Sequence, residues 1–123
     1  LDSAVPCGLI VNELVSNALK YAFPGGRTGE IRVSLLGDND GRTVLIVRDN
    51  GIGLPPDTNL DMSTSLGLRL VRMLAQQLGA EIYMDGSKGA EFKFKFTDGR
   101  KKEQTPSSTT QSKQTATAGF GGG

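Results

Sequence analysis

Glu13, Asn17 and Lys20 are spaced four and three residues apart, the interval that stacks side chains up one side of a helix. At about 100° per residue they fall within about 60° of one another, with Ser16 beside them and Asn12 just off the stripe. A carboxylate, an amide oxygen and an ammonium in a column suit a ligand made of metal and phosphate. The amide oxygen can coordinate a hard Mg²⁺, the ammonium can meet phosphate oxygens, and the carboxylate can hold a metal-bound water or polarise a nucleophile. Asn is a poor helix former because its amide competes for backbone hydrogen bonds, so an Asn in mid-helix asks for a reason. The bland alternative is a solvated polar face on an amphipathic helix.

Two further stretches carry possible chemistry. In "VRDNGIGLP", Asp49 closes a strand and is followed by Gly51 and Gly53. D-N-G alone makes a turn. The carboxylate could equally accept from the exocyclic amine of adenine, where the carbonyl of guanine would be repelled, with the glycines letting backbone approach the ring. In "STSLGLRLV", Gly67 near a helix start costs about 1 kcal/mol relative to Ala. Close approach of phosphate to free N–H groups at a helix N-terminus is one reason; plain capping by Ser63, Thr64 or Ser65 is the other.

The elements that must hold these residues can be read from hydrophobic periodicity. Ile10, Val11, Leu14, Val15, Ala18, Leu19 and Ala22 predict a helix from about Val5 to Ala22, with Pro6 tolerable in its first turn and "FPGGRTG" breaking it. "EIRVSLL" and "TVLIVRD" alternate around "GDNDGR" and predict an antiparallel hairpin. The stretch from Leu54 to Leu66 has no periodicity and is long for a connection in a compact domain. "LGLRLVRMLAQQL" predicts a second helix, with Leu66, Leu70, Leu74 and Leu78 along one side, Arg69, Arg72 and Gln76 opposite, and Gly79 ending it. "AEIYMD" and "AEFKFKFT" predict two strands around "GSKG", the second turning Phe92, Phe94 and Phe96 inward and Lys93 and Lys95 outward. The expected ordered unit is 1–97. Its expected fold is a mixed and mainly antiparallel sheet covered on one face by helices.

From Gln104 to Thr117, Ser, Thr and Gln dominate and leave too little apolar surface to offset the entropy of ordering. Residues 98–123 therefore read as a disordered or linker tail.

Composition narrows the function classes. The chain of 123 residues suffices for one domain with a real core. No apolar run approaches the roughly 20 residues of a membrane span, so membrane contact is not expected. The first residue is Leu1 and no basic-then-apolar leader precedes it, which reads as a piece of something longer. Cys7 is the lone cysteine, which excludes an internal disulfide and makes a cytoplasmic setting the default. Residues 1–97 hold 10 Lys and Arg against 11 Asp and Glu, so nucleic-acid binding is not indicated. There is no His, so general-base, metal-ligand and phosphoacceptor roles of imidazole are excluded within this chain.

Taken in order, "NELVSNALKYAF", "DNGIGLP" and "SLGLRLVRMLAQQLGAEI" resemble the N box and the two glycine boxes of the catalytic, ATP-binding domain of sensor histidine kinases. These lie within the Bergerat-fold superfamily that also holds gyrase and the Hsp90 chaperones, and the similarity covers about residues 4–97. "PCGLIVNELVSNALKYAFPGG" and the short loop before "STSLGL" are most similar to histidine kinases with a compact ATP lid. There is no Walker-type glycine loop. The resemblance implies an α/β sandwich of the α+β type and an enzyme that uses ATP and Mg²⁺. Asn17 matches the metal-coordinating Asn, and Glu13 stands where ATPase relatives keep a catalytic Glu. Lys20 and Tyr21 match positions lining the phosphates and nucleotide. Asp49 matches the adenine-selecting Asp, and Gly51, Gly53 and Leu54 the turn beneath the ring. Ser65, Gly67 and Leu68 match the backbone site at the lid's end, with 54–65 as the lid.

Departures are visible too. Ala90 stands where the family usually has Thr, implying a weaker grip on adenine. The strand before the N box and the dimerisation helices with their phosphoacceptor His are not in this sequence. The implied activity is delivery of the γ-phosphate of ATP to a His on a separate dimerisation domain, with a response regulator downstream. An anti-sigma-factor type Ser kinase, a non-catalytic nucleotide-binding module and a gyrase- or chaperone-like ATPase are the alternatives.

Overall fold

A computed structural model describes residues 3–55, Thr58, 65–97 and the main chain of 112–119. Helix α1 (Ala4–Tyr21) leads through a short 3₁₀ turn (Pro24–Gly26) into strands β1 (Thr28–Gly37) and β2 (Thr43–Asp49). Helix α2 (Leu66–Leu78) and strands β3 (Glu81–Asp85), β4 (Glu91–Phe96) and β5 (Ser112–Gly119) follow. The five strands form one sheet in the order β3-β4-β2-β1-β5. All four pairings are antiparallel, so the expected mixed sheet resolves to an antiparallel one.

Register explains which face is buried. Val33 pairs with Val47, Val47 with Phe92, and Phe92 with Met84; Leu35, Leu45, Phe94 and Ile82 form the next row. Directly paired residues share a face, and against this face pack Ile10 and Leu14 of α1 and Val71, Leu74 and Ala75 of α2. Phe94, Phe96, Ile10 and Val71 are almost wholly removed from water. Burial of that kind contributes about 1.5–3 kcal/mol per large side chain. The alternate residues of β4, Lys93 and Lys95, are only half-buried, which bears out the Phe-in, Lys-out alternation.

A smaller cluster supports the far end of α1. Ala18, Ala22, Phe23 and Ile31 pack together with Val15, and the Phe23 ring lies so close to Gly29 that any side chain there would overlap it. This fixes where the helix stops relative to β1.

The far end of the β1–β2 hairpin is tied to the sheet by charge. Asp38 Oδ1 accepts from the N–H groups of Asp40 and Arg42, and its Oδ2 forms an ion pair with Lys95 Nζ at 3.0 Å. Burial pushes the Asp38 carboxyl upward, but the Arg42 N–H, Lys95 and the Asp40 N–H outweigh it and hold it below its ordinary range. Glu81 is lowered first by the Tyr83 hydroxyl and then by Arg42.

Two expectations change. The line Leu66, Leu70, Leu74, Leu78 is not the buried stripe of α2: Val71, Leu74 and Ala75 are buried, and Leu66 is 79% exposed. Positions four apart drift by about 40° per step, so over three steps the line winds off the core. The reading of 98–123 as a linker does not extend to 112–119, where β5 pairs with β1 from Thr28↔Gly119 to Leu35↔Ser112. Strand pairing draws on main-chain groups that every sequence has, so a tail without an apolar period can still supply a strand. The remaining tail lies outside the described residues. Among the described residues, no helix is long and apolar enough to cross a membrane.

Candidate functional site

The end of β2 presents Asp49 with its backbone and one carboxylate oxygen already committed. Its N–H donates to the Ala90 carbonyl at 2.9 Å. Its Oδ1 accepts from the Gly51 N–H at 2.8 Å and the Ala90 N–H at 3.3 Å. Oδ1 thus orients the group, and Oδ2 is left without a hydrogen bond among the described residues. The half-buried side chain can therefore offer a fixed acceptor to an outside donor.

The turn after Asp49 is clamped on three sides. Asn50 and Glu30 exchange bonds, Glu30 N–H to Asn50 Oδ1 at 2.8 Å and Asn50 N–H to the Glu30 carbonyl at 3.2 Å. The Ile52 N–H donates to the Ala22 carbonyl at the end of α1, and Gly51 lies directly against that carbonyl. Leu54 N–H donates to the Gly86 carbonyl at 3.3 Å, and Gly53, at φ 85°, packs on the same carbonyl. A side chain at Gly53 would meet both a collision and a left-handed backbone. Gly89 in turn packs against the Asp49 carbonyl.

The second half of the site lies between the two helices. A methyl group added at Gly67 would stand 2.8 Å from Glu13 Oε1, 3.6 Å from Asn17 Nδ2 and 3.7 Å from Asn17 Oδ1. Glu13 and Asn17 are half-buried and share one side of α1, so two oxygen-bearing side chains flank the first turn of α2. Ser65 is its N-cap: the hydroxyl accepts from the Leu68 N–H at 3.3 Å, and the Ser65 carbonyl accepts from Arg69. This cap occupies the Leu68 N–H, leaving the N-terminal turn's remaining N–H groups and its positive dipole end for an anion.

The two halves are joined by α1 itself. Asn17 and Ala22 are five residues apart, about 7.5 Å along the axis, and Ala22 holds the Asp49 turn. Lys20 and Tyr21 lie between them and are exposed, Tyr21 at 68%. The structure thus brings Glu13, Asn17 and Gly67 together, and Asp49, Gly51, Gly53 and Leu54 together. Of the stretch 54–65, residues 56, 57 and 59–64 lie outside the described residues. A separate depression of about 330 Å³ is lined by Val44, Tyr83, Lys93 and Lys95 among others and contains none of these residues.

Sequence reasoning did not single out Ala22, Gly86 or Gly89, and it singled out Ala90 only as a departure. Ala90 contributes through its backbone, which no side-chain type can advertise. The glycine spacing of "GSKG" was the one available signal.

Comparison with known proteins agrees with this geometry. Residues 3–100 match the family described as histidine kinase-, DNA gyrase B-, and HSP90-like ATPase. The chain is 37% identical over 84 residues to blue-light-activated histidine kinase 2 of Erythrobacter litoralis, covering 67% of this chain and 24% of the relative. It is 38% identical over 90 residues to the sensor histidine kinase PdtaS of Mycobacterium tuberculosis, covering 72% of this chain and 17% of the relative. The chain thus spans about a quarter or less of these relatives' length. The solved histidine kinase domain of an Erythrobacter litoralis blue-light activated kinase superposes with a TM-score of 0.69 at 32% identity, covering 76% of this chain and 44% of that one. With the N-box helix, the clamped Asp49 turn and the α2 N-terminus in the family's order, the chain belongs to the histidine kinase-, DNA gyrase B- and HSP90-like ATPases.

Proposed function

We propose that residues 3–97 bind ATP with Mg²⁺ and act as the phosphoryl-donating domain of a sensor histidine kinase, delivering the γ-phosphate to a His on a separate dimerisation domain. The observation that carries the reading is the joint at Ala22. One helix holds the Asp49 turn at its end and sets Glu13 and Asn17 beside the α2 N-terminus. Base and phosphates of one nucleotide can then be held by a single rigid element.

Asp49 Oδ2 accepts from the adenine amine, and Gly51 and Gly53 keep the floor beneath the ring free of side chains. The first turn of α2 and Lys20 meet the phosphates. Mg²⁺ fits the donors present. It is commonly held by one or two protein oxygens together with phosphates and waters. Asn17 and Glu13 supply such oxygens beside one backbone point, while no group of three or more His, Cys, Asp or Glu among the described residues would build a closed cage. Asn17 would hold the ion, which when bound neutralises charge on the transferring phosphate. Glu13 polarises or orients the group that receives it.

The relatives named above are histidine kinases, which favours His over Ser as acceptor; a response regulator downstream is part of the same proposal. A cytoplasmic setting belongs to the same proposal. The test is an ATP titration with and without Mg²⁺, beside GTP. Binding that prefers ATP and strengthens with Mg²⁺ is expected; no binding by the folded chain at millimolar ATP ends the proposal. Incubation with a His-bearing helical domain, followed by acid, then separates acid-labile phosphohistidine from stable phosphoserine.

A further inference from the structure

We propose that Gly67 is a positioning residue for Glu13: the gap left by its missing side chain seats the Glu13 carboxylate against the first turn of α2, beside the Asn17 amide. The inference rests on the nucleotide site proposed above and gives Gly67 a role distinct from backbone approach to phosphate. Conformation does not require glycine here, because Gly67 lies within helical α2 and its φ is not left-handed. Helix propensity argues against it by about 1 kcal/mol relative to Ala. Space is what it provides. A methyl would stand 2.8 Å from Glu13 Oε1, well inside the roughly 3.5–4.0 Å of comfortable contact. Asn17 Nδ2 and Oδ1, at 3.6 and 3.7 Å from the same point, stand next to the displaced carboxylate. Leu14 and Ala18, each one position along α1 from Glu13 and Asn17, are buried. A methyl would therefore displace the Glu13 carboxylate directly and reach the Asn17 amide only through that displacement.

The test is a double-mutant cycle of Gly67→Ala and Glu13→Ala in the full chain, read in two ways. In unfolding without ligand, Gly67→Ala lowers the midpoint in the wild-type background and does not lower it when residue 13 is Ala. In titration, Gly67→Ala weakens ATP binding by about tenfold with Mg²⁺, the scale for disturbing groups that orient a metal ligand, and much less without it. That loss shrinks in the Glu13→Ala background. A single variant that does not fold while the double variant does reports the same coupling. If Gly67→Ala acts equally in both backgrounds, or weakens ATP equally with and without Mg²⁺, Gly67 serves its own backbone contact and the inference is overturned. Coupling in unfolding but none in Mg²⁺-dependent affinity also overturns the positioning role. A wild-type chain that binds no ATP removes the proposed function instead, and the unfolding arm still decides whether the Gly67–Glu13 contact exists.

Discussion

Asp49 and Ala90 hold each other from both sides. The Asp49 N–H donates to the Ala90 carbonyl at 2.9 Å, and the Ala90 N–H returns a bond to Asp49 Oδ1 at 3.3 Å. The residue that would read the base is thus oriented in part by the main chain of the residue just before β4, 41 positions away. Ala90 has no side-chain hydroxyl, yet its N–H supplies a bond that aims the carboxylate.

Substitutions at Asp49 separate orientation from recognition. Asp49→Asn retains an oxygen for the Gly51 and Ala90 N–H groups, so the unfolding midpoint should stay near wild type while ATP affinity and preference over GTP fall. Asp49→Ala removes that acceptor as well and should cost about 1–2 kcal/mol of stability in addition. Thermal unfolding beside nucleotide titration distinguishes the two.

Asn17→Ala should abolish most of the gain in ATP affinity that Mg²⁺ confers, about tenfold or ~1.4 kcal/mol, with Mg²⁺-free affinity little changed. Calorimetric titration in Mg²⁺ and in chelator measures it. An unchanged Mg²⁺ response would remove Asn17 as the metal-holding residue.

Gly53→Ala should destabilise the chain by about 1–3 kcal/mol, because φ 85° is combined with direct overlap on the Gly86 carbonyl. Gly8→Ala is the control: among the described residues nothing outside its own helix backbone lies within 4 Å of a methyl added at Gly8, it sits in α1, and Ala there should gain up to about 1 kcal/mol. Denaturant unfolding of both variants gives opposite signs if the clamp is as described.

Acid should loosen the hairpin end of the sheet. Asp38 and Glu81 are held below their ordinary values. A carboxyl lowered in the fold contributes stability that is fully present above its unfolded value, roughly pH 4, and is lost as pH falls through its folded value. Lys95, raised by Asp38, works the other way: its contribution is complete below roughly pH 10.4 and is lost as pH climbs through the raised value. The midpoint measured against pH should therefore drop on both flanks, and Asp38→Asn should flatten both.

Much of this was legible because hydrophobic period and turn chemistry are local. The extent of α2 and the Phe92, Phe94, Phe96 face follow from spacing, and the boxes could be placed on elements before any coordinates. What was not legible depends on distant backbone. The grip of Ala90 on Asp49 and of Ala22 on Ile52 involves carbonyl and N–H groups that look alike in every residue. Leu66 was misplaced because a line of every fourth residue slides around a helix. β5 was missed because its pairing uses no apolar pattern.

The clamp on the Asp49 turn has a consequence for how the chain would acquire the proposed nucleotide binding. Its jaws come from the end of the first helix, the start of β1 and the hairpin between the last two core strands, so they meet only once nearly the whole chain has assembled. An incompletely folded molecule would lack the proposed base-reading end, and occupancy by nucleotide would then count finished molecules and no others.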